Sequence, residues 1–273
     1  MRTVYSPLHA GHGGNVELMS GSIVPAFEIP RRAELIRAQV EAVGLGPVLP
    51  PGAHGLETAR RVHAADYVDF LPRAWPMWRA AGREGTAMPF VWPGPGLRAD
   101  APPDDIDGLL GFYSFDAGAT FVEGTWAAAK AAQDVALTAA DLVAGGEGAA
   151  FALCRPPGHH AGPRAAGGYC FLNNAAIAAE RLRERGAGRV AVLDVDYHHG
   201  NGTQAIFYER GDVLVVNLHA DPIVEYPYFL GHADERGAGP GEGATLNLPL
   251  PHETDWARWS AALEIGCAAV ETY

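Results

Sequence analysis

Short apolar runs alternate along the chain with stretches of helical periodicity. Residues 3–5, 150–153, 189–194 and 212–218 read as strands. Two of them contain Val190-Ala-Val-Leu193 and Val213-Leu-Val-Val216, near-continuous apolar runs suited to strands covered on both faces. Apolar positions three and four apart predict helices over 33–43, 124–144, 173–185, 203–208 and 255–272. Gly186 is placed to stop the third of these and Thr254 to cap the last. Strands and helices in this order predict an α/β domain on a parallel sheet. No internal repeat interrupts it, and one domain over 1–273 is expected.

Residues 71–115 break the pattern. They are rich in Pro and Gly, carry Trp75, Trp78 and Trp92, and make an acidic turn at Asp104-Asp105. A long irregular insertion inside a compact domain is usually functional. Its tryptophans either form an interface or substrate rim, or pin the loop to the core.

Composition narrows the function classes. Of 273 residues, 48% are hydrophobic and 19% charged, an ordinary balance for a chain with a large core. The longest alanine-rich stretch, 126–144, is interrupted by Lys130, Gln133, Asp134 and Asp141, so no membrane span is expected. Met1-Arg-Thr-Val-Tyr5 lacks the pattern of a signal peptide, and a cytoplasmic protein is the default. A net charge of −12 argues against nucleic acid as a partner and can draw in cationic substrates, though acidity is also common in soluble proteins. Cys154, Cys170 and Cys267 form neither a disulfide framework nor a thiolate metal site, and read as small buried residues.

The chemistry concentrates in Asp194-Val-Asp196-Tyr-His198-His-Gly-Asn-Gly202, where an apolar strand meets a glycine-bounded loop. On an extended chain Asp194, Asp196 and His198 share one side, so Asp196 and His198 can grip one metal ion with Asp194 behind. Carboxylate and imidazole suit zinc, and also iron(II), cobalt or manganese. Upstream, Pro156-Pro-Gly158 is a rigid turn that presents His159 and His160. Histidine titrates near working pH and can move protons to and from water and a leaving amine. Gly167-Gly-Tyr169 follows, with Tyr169 placed to wall a narrow channel.

Three blocks, Arg155-Pro-Pro-Gly-His-His160, Gly168-Tyr-Cys-Phe-Leu-Asn-Asn174 and Asp194 to Gly202, resemble those of the histone deacetylase superfamily. The chain is most similar to its bacterial acetylpolyamine amidohydrolase branch. The resemblance implies a three-layer arginase/deacetylase-like fold with a central parallel sheet and one catalytic metal, usually zinc. It implies Asp196 and His198 as metal ligands, His160 as the general base and His159 as its partner at the leaving group. It implies that Asp194 backs the histidine pair and helps hold a structural potassium ion. Asn201 matches a position facing His160, where an amide leaves that ring less basic than a carboxylate would. Tyr169 and Phe229 match the aromatic walls of an acyl tunnel, Asp116 a rim carboxylate, and Glu17 an acidic rim that reads a distal ammonium. The insertion resembles one that narrows the entrance and builds a homodimer.

The family's third metal ligand, an aspartate, and its transition-state tyrosine have no matching block before Tyr273, so C-terminal strands are expected to be missing. The leading expectation is metal-dependent deacetylation of a small acetylated amine, above all an acetylpolyamine. Deacetylation of acetyl-lysine in proteins is the nearest rival. A non-catalytic metal-binding or interaction fragment is the alternative from another class.

Overall fold

Tight packing of alanines against a short parallel sheet organises the first of two compact units in the computed structural model, which describes residues 1–273. This unit, Met1–Ala178, carries β1 (Arg2–Tyr5), β2 (Val16–Met19), β3 (Ser22–Pro25), α1 (Pro30–Ala42) and β4 (Val48–Leu49). Next come α2 (Ala59–Val62), α3 (Ala65–Ala80), α4 (Ile106–Phe112), α5 (Thr125–Ala144), β5 (Ala150–Leu153) and the start of α6 (Asn174–Glu184). β1 lies between β4 and β5, parallel to both. Val135 and Ala139 of α5 pack on Val4 with Ala150 and Ala152, where small side chains let helix and sheet approach closely. β2 and β3 form a separate antiparallel hairpin.

Part of the expected irregular segment is helical. Residues 71–80 complete α3 although Pro72 and Pro76 lie inside it. A proline inside a helix costs about 3 kcal/mol, and burial of Tyr67, Val68, Phe70, Leu71 and Ala74 on one face outweighs it. The Asp104-Asp105 turn is the start of α4, whose first turn Asp105 caps by accepting from Asp107 N at 2.8 Å. Trp92 donates to Ser114 Oγ at 3.0 Å, while Arg79 and Arg83 lie over Trp75 and Trp78. Phe90, Val91, Leu97 and Phe115 are the exposed large apolar residues of this segment.

The second unit, Ala179–Tyr273, holds the rest of α6, then β6 (Val190–Asp194), α7 (Asn201–Phe207), β7 (Val213–Ala220), β8 (Thr245–Leu250) and α8 (Trp256–Thr272). Its three strands are parallel in the order β6-β7-β8. All eight residues of β7 are buried, as its apolar run requires. Gly266 of α8 lets the helix lie on β7, since a Cβ there would sit 3.2 Å from Leu218 and Val216.

Element ends moved where local hydrogen bonds decided. Asn173 lies before α6 and accepts from Ala176 N at 3.0 Å, and Gly186 at φ 100° stops the helix as expected. Asp255, not Thr254, caps α8, accepting from Arg258 N at 2.8 Å while Thr254 donates to Pro251 O. β8 was not expected because Asn247 and Pro249 interrupt its apolar pattern; pairing only with β7, it tolerates the proline. Cys154 and Cys170 are shielded, burial pushing the Cys154 thiol up to about 12, whereas Cys267 is exposed rather than buried. No helix is long and apolar enough to cross a membrane.

Candidate functional site

In the first unit, the loop after β5 carries the histidine pair on a buried ionic anchor. Arg155 donates to Glu28 Oε1 at 2.9 Å, to His9 O at 2.6 Å and to Glu28 O at 3.1 Å. Burial of a guanidinium is tolerated because a carboxylate and two carbonyls take its protons. Gly158 cannot be replaced cheaply, because a Cβ would meet Asn174 N at 2.5 Å. The chain there lies against the block that carries Tyr169. The His159 and His160 rings lie with centroids 3.9 Å apart and their planes tilted by 43°, His160 being buried and His159 half-buried.

Tyr169 sits at φ 67°, a left-handed conformation that is unusual for an aromatic residue. Gly168 N donates to Asp116 Oδ2 at 3.0 Å, and Gly118 N to Asp116 Oδ1 at 2.8 Å, which anchors the turn. Burial, a hydrogen bond to Glu17 and the nearby carboxylates hold the Tyr169 phenol well above its ordinary value. Glu17, Asp116 and the Tyr169 turn are thus brought together. Glu17 is buried on β2 rather than lying on an open rim, and its Oε1 has no hydrogen-bond partner.

In the second unit, β6 ends at Asp194 and the chain bends, so the alternation does not continue as strand. Asp194 Oδ1 accepts from Asp196 N at 3.1 Å, and Asp196 Oδ1 from His198 N at 2.9 Å. Carboxylates two residues apart therefore make successive Asx turns, which is the physical basis of the spacing. Asp196 Oδ1 lies 3.7 Å from His198 Nδ1, beyond hydrogen-bond range. Two ligand atoms on one tetrahedral ion lie roughly 3.3–3.5 Å apart, so the pair can share a metal with little adjustment. No group of three or more His, Cys, Asp or Glu side chains has metal-holding spacing. The Asp196 and His198 side chains are 52% and 39% exposed, so the loop is open rather than buried.

Behind this loop Asp194, Asn217 and Asn247 stand in register across the three strands. Gly200 is required here, since a Cβ would lie 2.4 Å from Asp194 Oδ2 and 3.0 Å from Asn217 Oδ1. Asn201 opens α7, and Phe229 is 89% exposed in the loop after β7.

The histone deacetylase domain matches residues 26–271. The chain belongs to the histone deacetylase family. It is 53% identical over 273 residues to "Acetylpolyamine amidohydrolase 2" of Pseudomonas aeruginosa, covering 100% of this chain and 79% of that protein. Against "Acetylpolyamine amidohydrolase" of Mycoplana ramosa it is 49% identical, covering 96% of this chain and 77% of the other. The crystal structure of acetylpolyamine aminohydrolase from Burkholderia pseudomallei, an iodide soak, superposes with a TM-score of 0.93 at 39% identity, covering 100% of this chain and 78% of that one. The α/β architecture with parallel strands is that of the arginase/deacetylase fold, as the resemblance implied.

This deacetylase-family chain also uses residues that the motifs do not include. Glu225 stands 3.7 Å from His198 Nε2, 3.4 Å from His252 Nε2 and accepts from Tyr197 OH at 3.3 Å. His199 Nε2 donates to Gln204 Oε1 at 2.9 Å, and burial pushes its pKa down to about 3, so this imidazole is neutral. His63 and Tyr67, at the start of α3, bond to main-chain atoms of the histidine-pair and Tyr169 loops. Their only sequence signal was a pair of polar rings one helical turn apart ahead of an apolar run.

Proposed function

We propose that this protein is a cytoplasmic, metal-dependent deacetylase that hydrolyses the acetyl amide of N-acetylated polyamines. The observation that carries this reading is 53% identity, over its full 273 residues, to an acetylpolyamine amidohydrolase. The chemistry agrees with a cationic substrate. The Oε1 of buried Glu17 lacks a hydrogen-bond partner and suits an incoming ammonium, and the net charge of −12 favours approach of a polycation.

Asp196 and His198 would hold the ion, zinc first, with iron(II), cobalt and manganese admitted by the same donors. When bound, the ion supplies a Lewis acid that polarises the amide carbonyl. His160 takes a proton from the attacking water as its oxygen adds to the carbonyl carbon. The C–N bond then breaks, and His159 passes a proton to the departing amine, giving acetate and a free amine. Asn201 takes an orienting role. Tyr169 and Phe229 offer flat aromatic surfaces to the acyl chain, and Asp116 accepts a hydrogen bond from the substrate's polar end. Asp194 fits a structural potassium site, because the buried Oδ1 of Asn217, which has no hydrogen-bond partner, faces the same Gly200 backbone as Asp194 Oδ2. Residues 71–115, with Phe90, Val91 and Leu97 exposed, are the proposed rim and homodimer contact.

The test is the ratio of kcat/KM for N-acetylputrescine and for an acetyl-lysine peptide, measured on the full-length enzyme. A preference of about 10²-fold or more for the polyamine is expected, the scale of a well-placed charge contact. Equal rates would transfer the assignment to protein deacetylation.

A further inference from the structure

We infer that His63 and Tyr67 form a positioning brace that sets the His159–His160 loop and the Tyr169 loop in register with each other. The inference rests on the deacetylase reading and adds to it two residues that touch neither substrate nor metal.

The geometry is confined to one helix start. His63 precedes α3 by two residues and Tyr67 lies in its first turn, and both are buried. Asn173 N lies 2.9 Å from His63 Nε2. A backbone N–H can only donate, so Nε2 is the acceptor and the ring proton resides on Nδ1. That Nδ1–H donates to Gly162 O at 2.8 Å. One imidazole therefore ties a main-chain carbonyl two residues after His160 to a main-chain amide four residues after Tyr169. Tyr67 adds a second tie, donating to Phe171 O at 2.6 Å. Ala64 N donates to Pro163 O at 2.7 Å, so the same short segment meets both loops along its length.

A histidine that merely fills a core satisfies its nitrogens from any neighbour. Here both partners are buried backbone atoms of two different motif loops, and the ring supplies a directed bond to each. Burial pushes the His63 pKa down to about 4, so the ring keeps one donor and one acceptor throughout the neutral range. The brace is thus fixed rather than switched. Displacing a reacting group by about 1 Å can cost 10²-fold in rate, which gives a reason to hold these loops by directed bonds.

Substitutions separate the two ties. The amide nitrogen of His63→Asn falls where Nδ1 stood and keeps the bond to Gly162. The amide oxygen of His63→Gln reaches where Nε2 stood and keeps the bond from Asn173. With N-acetylputrescine as substrate, His63→Asn should keep kcat within about twofold and raise KM about fivefold or more, because only the Tyr169 loop is released. His63→Gln should keep KM and lower kcat about tenfold or more, because the His160 loop is released. His63→Phe should lose both, about 10²-fold in kcat/KM. Identical changes in the Asn and Gln variants, or none, overturn the brace while leaving the deacetylase reading intact. Should the wild type release no acetate, that reading fails instead, and amide exchange of residues 158–174 decides the brace. Faster exchange in both loops of folded His63→Phe supports it, and unchanged protection overturns it. If His63→Phe does not fold, the same exchange comparison is made between the Asn and Gln variants. One loop loosening in each supports the brace, and equal protection in both overturns it.

Discussion

His160 is 4% exposed and its loop hangs from Arg155, Gly158 and His63, whereas Asp196 and His198 lie in an open loop in which each carboxylate accepts from the amide two residues on. The bonds that hold the first cluster reach far along the chain: Arg155 meets Glu28 and His9, and His63 meets Gly162 and Asn173. The second combines two-residue bonds, from Asp194 to Asp196 and from Asp196 to His198, with ties from Tyr197 to Ala220 N at 2.8 Å and to Glu225 at 3.3 Å. The contrast follows from the chemistry proposed for each. Proton transfer needs a ring in a fixed place and a dry setting, which only tertiary structure supplies. A metal ion imposes geometry on its own ligands, so a loop that merely keeps an oxygen and a nitrogen about one ion's width apart suffices. Stability should therefore be invested in the first cluster and little in the second.

The largest expected effect tests that division directly. Arg155→Met leaves the Glu28 carboxyl buried without its partner, and burial already pushes that carboxyl up. Removal of one member of a buried ion pair costs about 3–5 kcal/mol. Asp196→Asn retains the Oδ1 that accepts from His198 N, so its unfolding free energy should change by no more than about 0.5 kcal/mol. Its metal affinity should nonetheless fall by more than the roughly 10–100-fold typical of losing an outer partner. Urea denaturation and metal content after dialysis measure the two. A strongly destabilised Asp196→Asn would show that the open loop also carries the fold.

The next effect concerns pH and belongs to the buried cluster's surroundings. Burial pushes His63 down to about 4 and His12 to about 3, against an ordinary value of 6.5. Both bind a proton more readily unfolded than folded. Their contribution is therefore complete above pH 6.5 and is lost as pH falls towards 4 and 3. Each group contributes a slope of at most about 1.4 kcal/mol per pH unit inside that window. Unfolding free energy at pH 5.0 should thus lie below that at pH 7.5, and His12→Gln should flatten the difference. A rise in stability on acidification would contradict neutral burial of these rings.

The same contrast explains what could be read from the chain. Asp196 and His198 were legible because their environment is local: the two-residue spacing itself makes the Asx turns, although the chain bends where an extended strand was expected. The parallel strands β6 and β7 were legible from continuous apolar runs, and the arginase/deacetylase fold from three motif blocks. The supports of the histidine pair were not, because Glu28, His63 and Tyr67 act over 99 residues or more, or through main-chain atoms. α3 was hidden by Pro72 and Pro76, whose local penalty is overruled only by burial. The hairpin β2–β3 was hidden too, and with it the burial of Glu17, because a four-residue strand carries too little pattern to be recognised.

Phe229 offers the smallest and most discriminating effect. At 89% exposure its ring contributes little to folding, and Phe229→Ala should alter stability by no more than about 0.5 kcal/mol. If it meets the acyl chain as proposed, KM should rise while kcat holds, since a flat wall binds substrate and transition state alike. Tyr169→Ala makes the matched comparison, because that ring is half-buried, hydrogen-bonded to Glu17 and set at φ 67°. Its loss should raise KM as well and lower stability with it. Aromatic residues given the same role are thus expected to fail differently, according to whether long-range contacts hold them. Steady-state kinetics on both variants, with melting temperatures alongside, measures this. Equal losses of stability in the two would mean that the fold holds Phe229 as firmly as Tyr169.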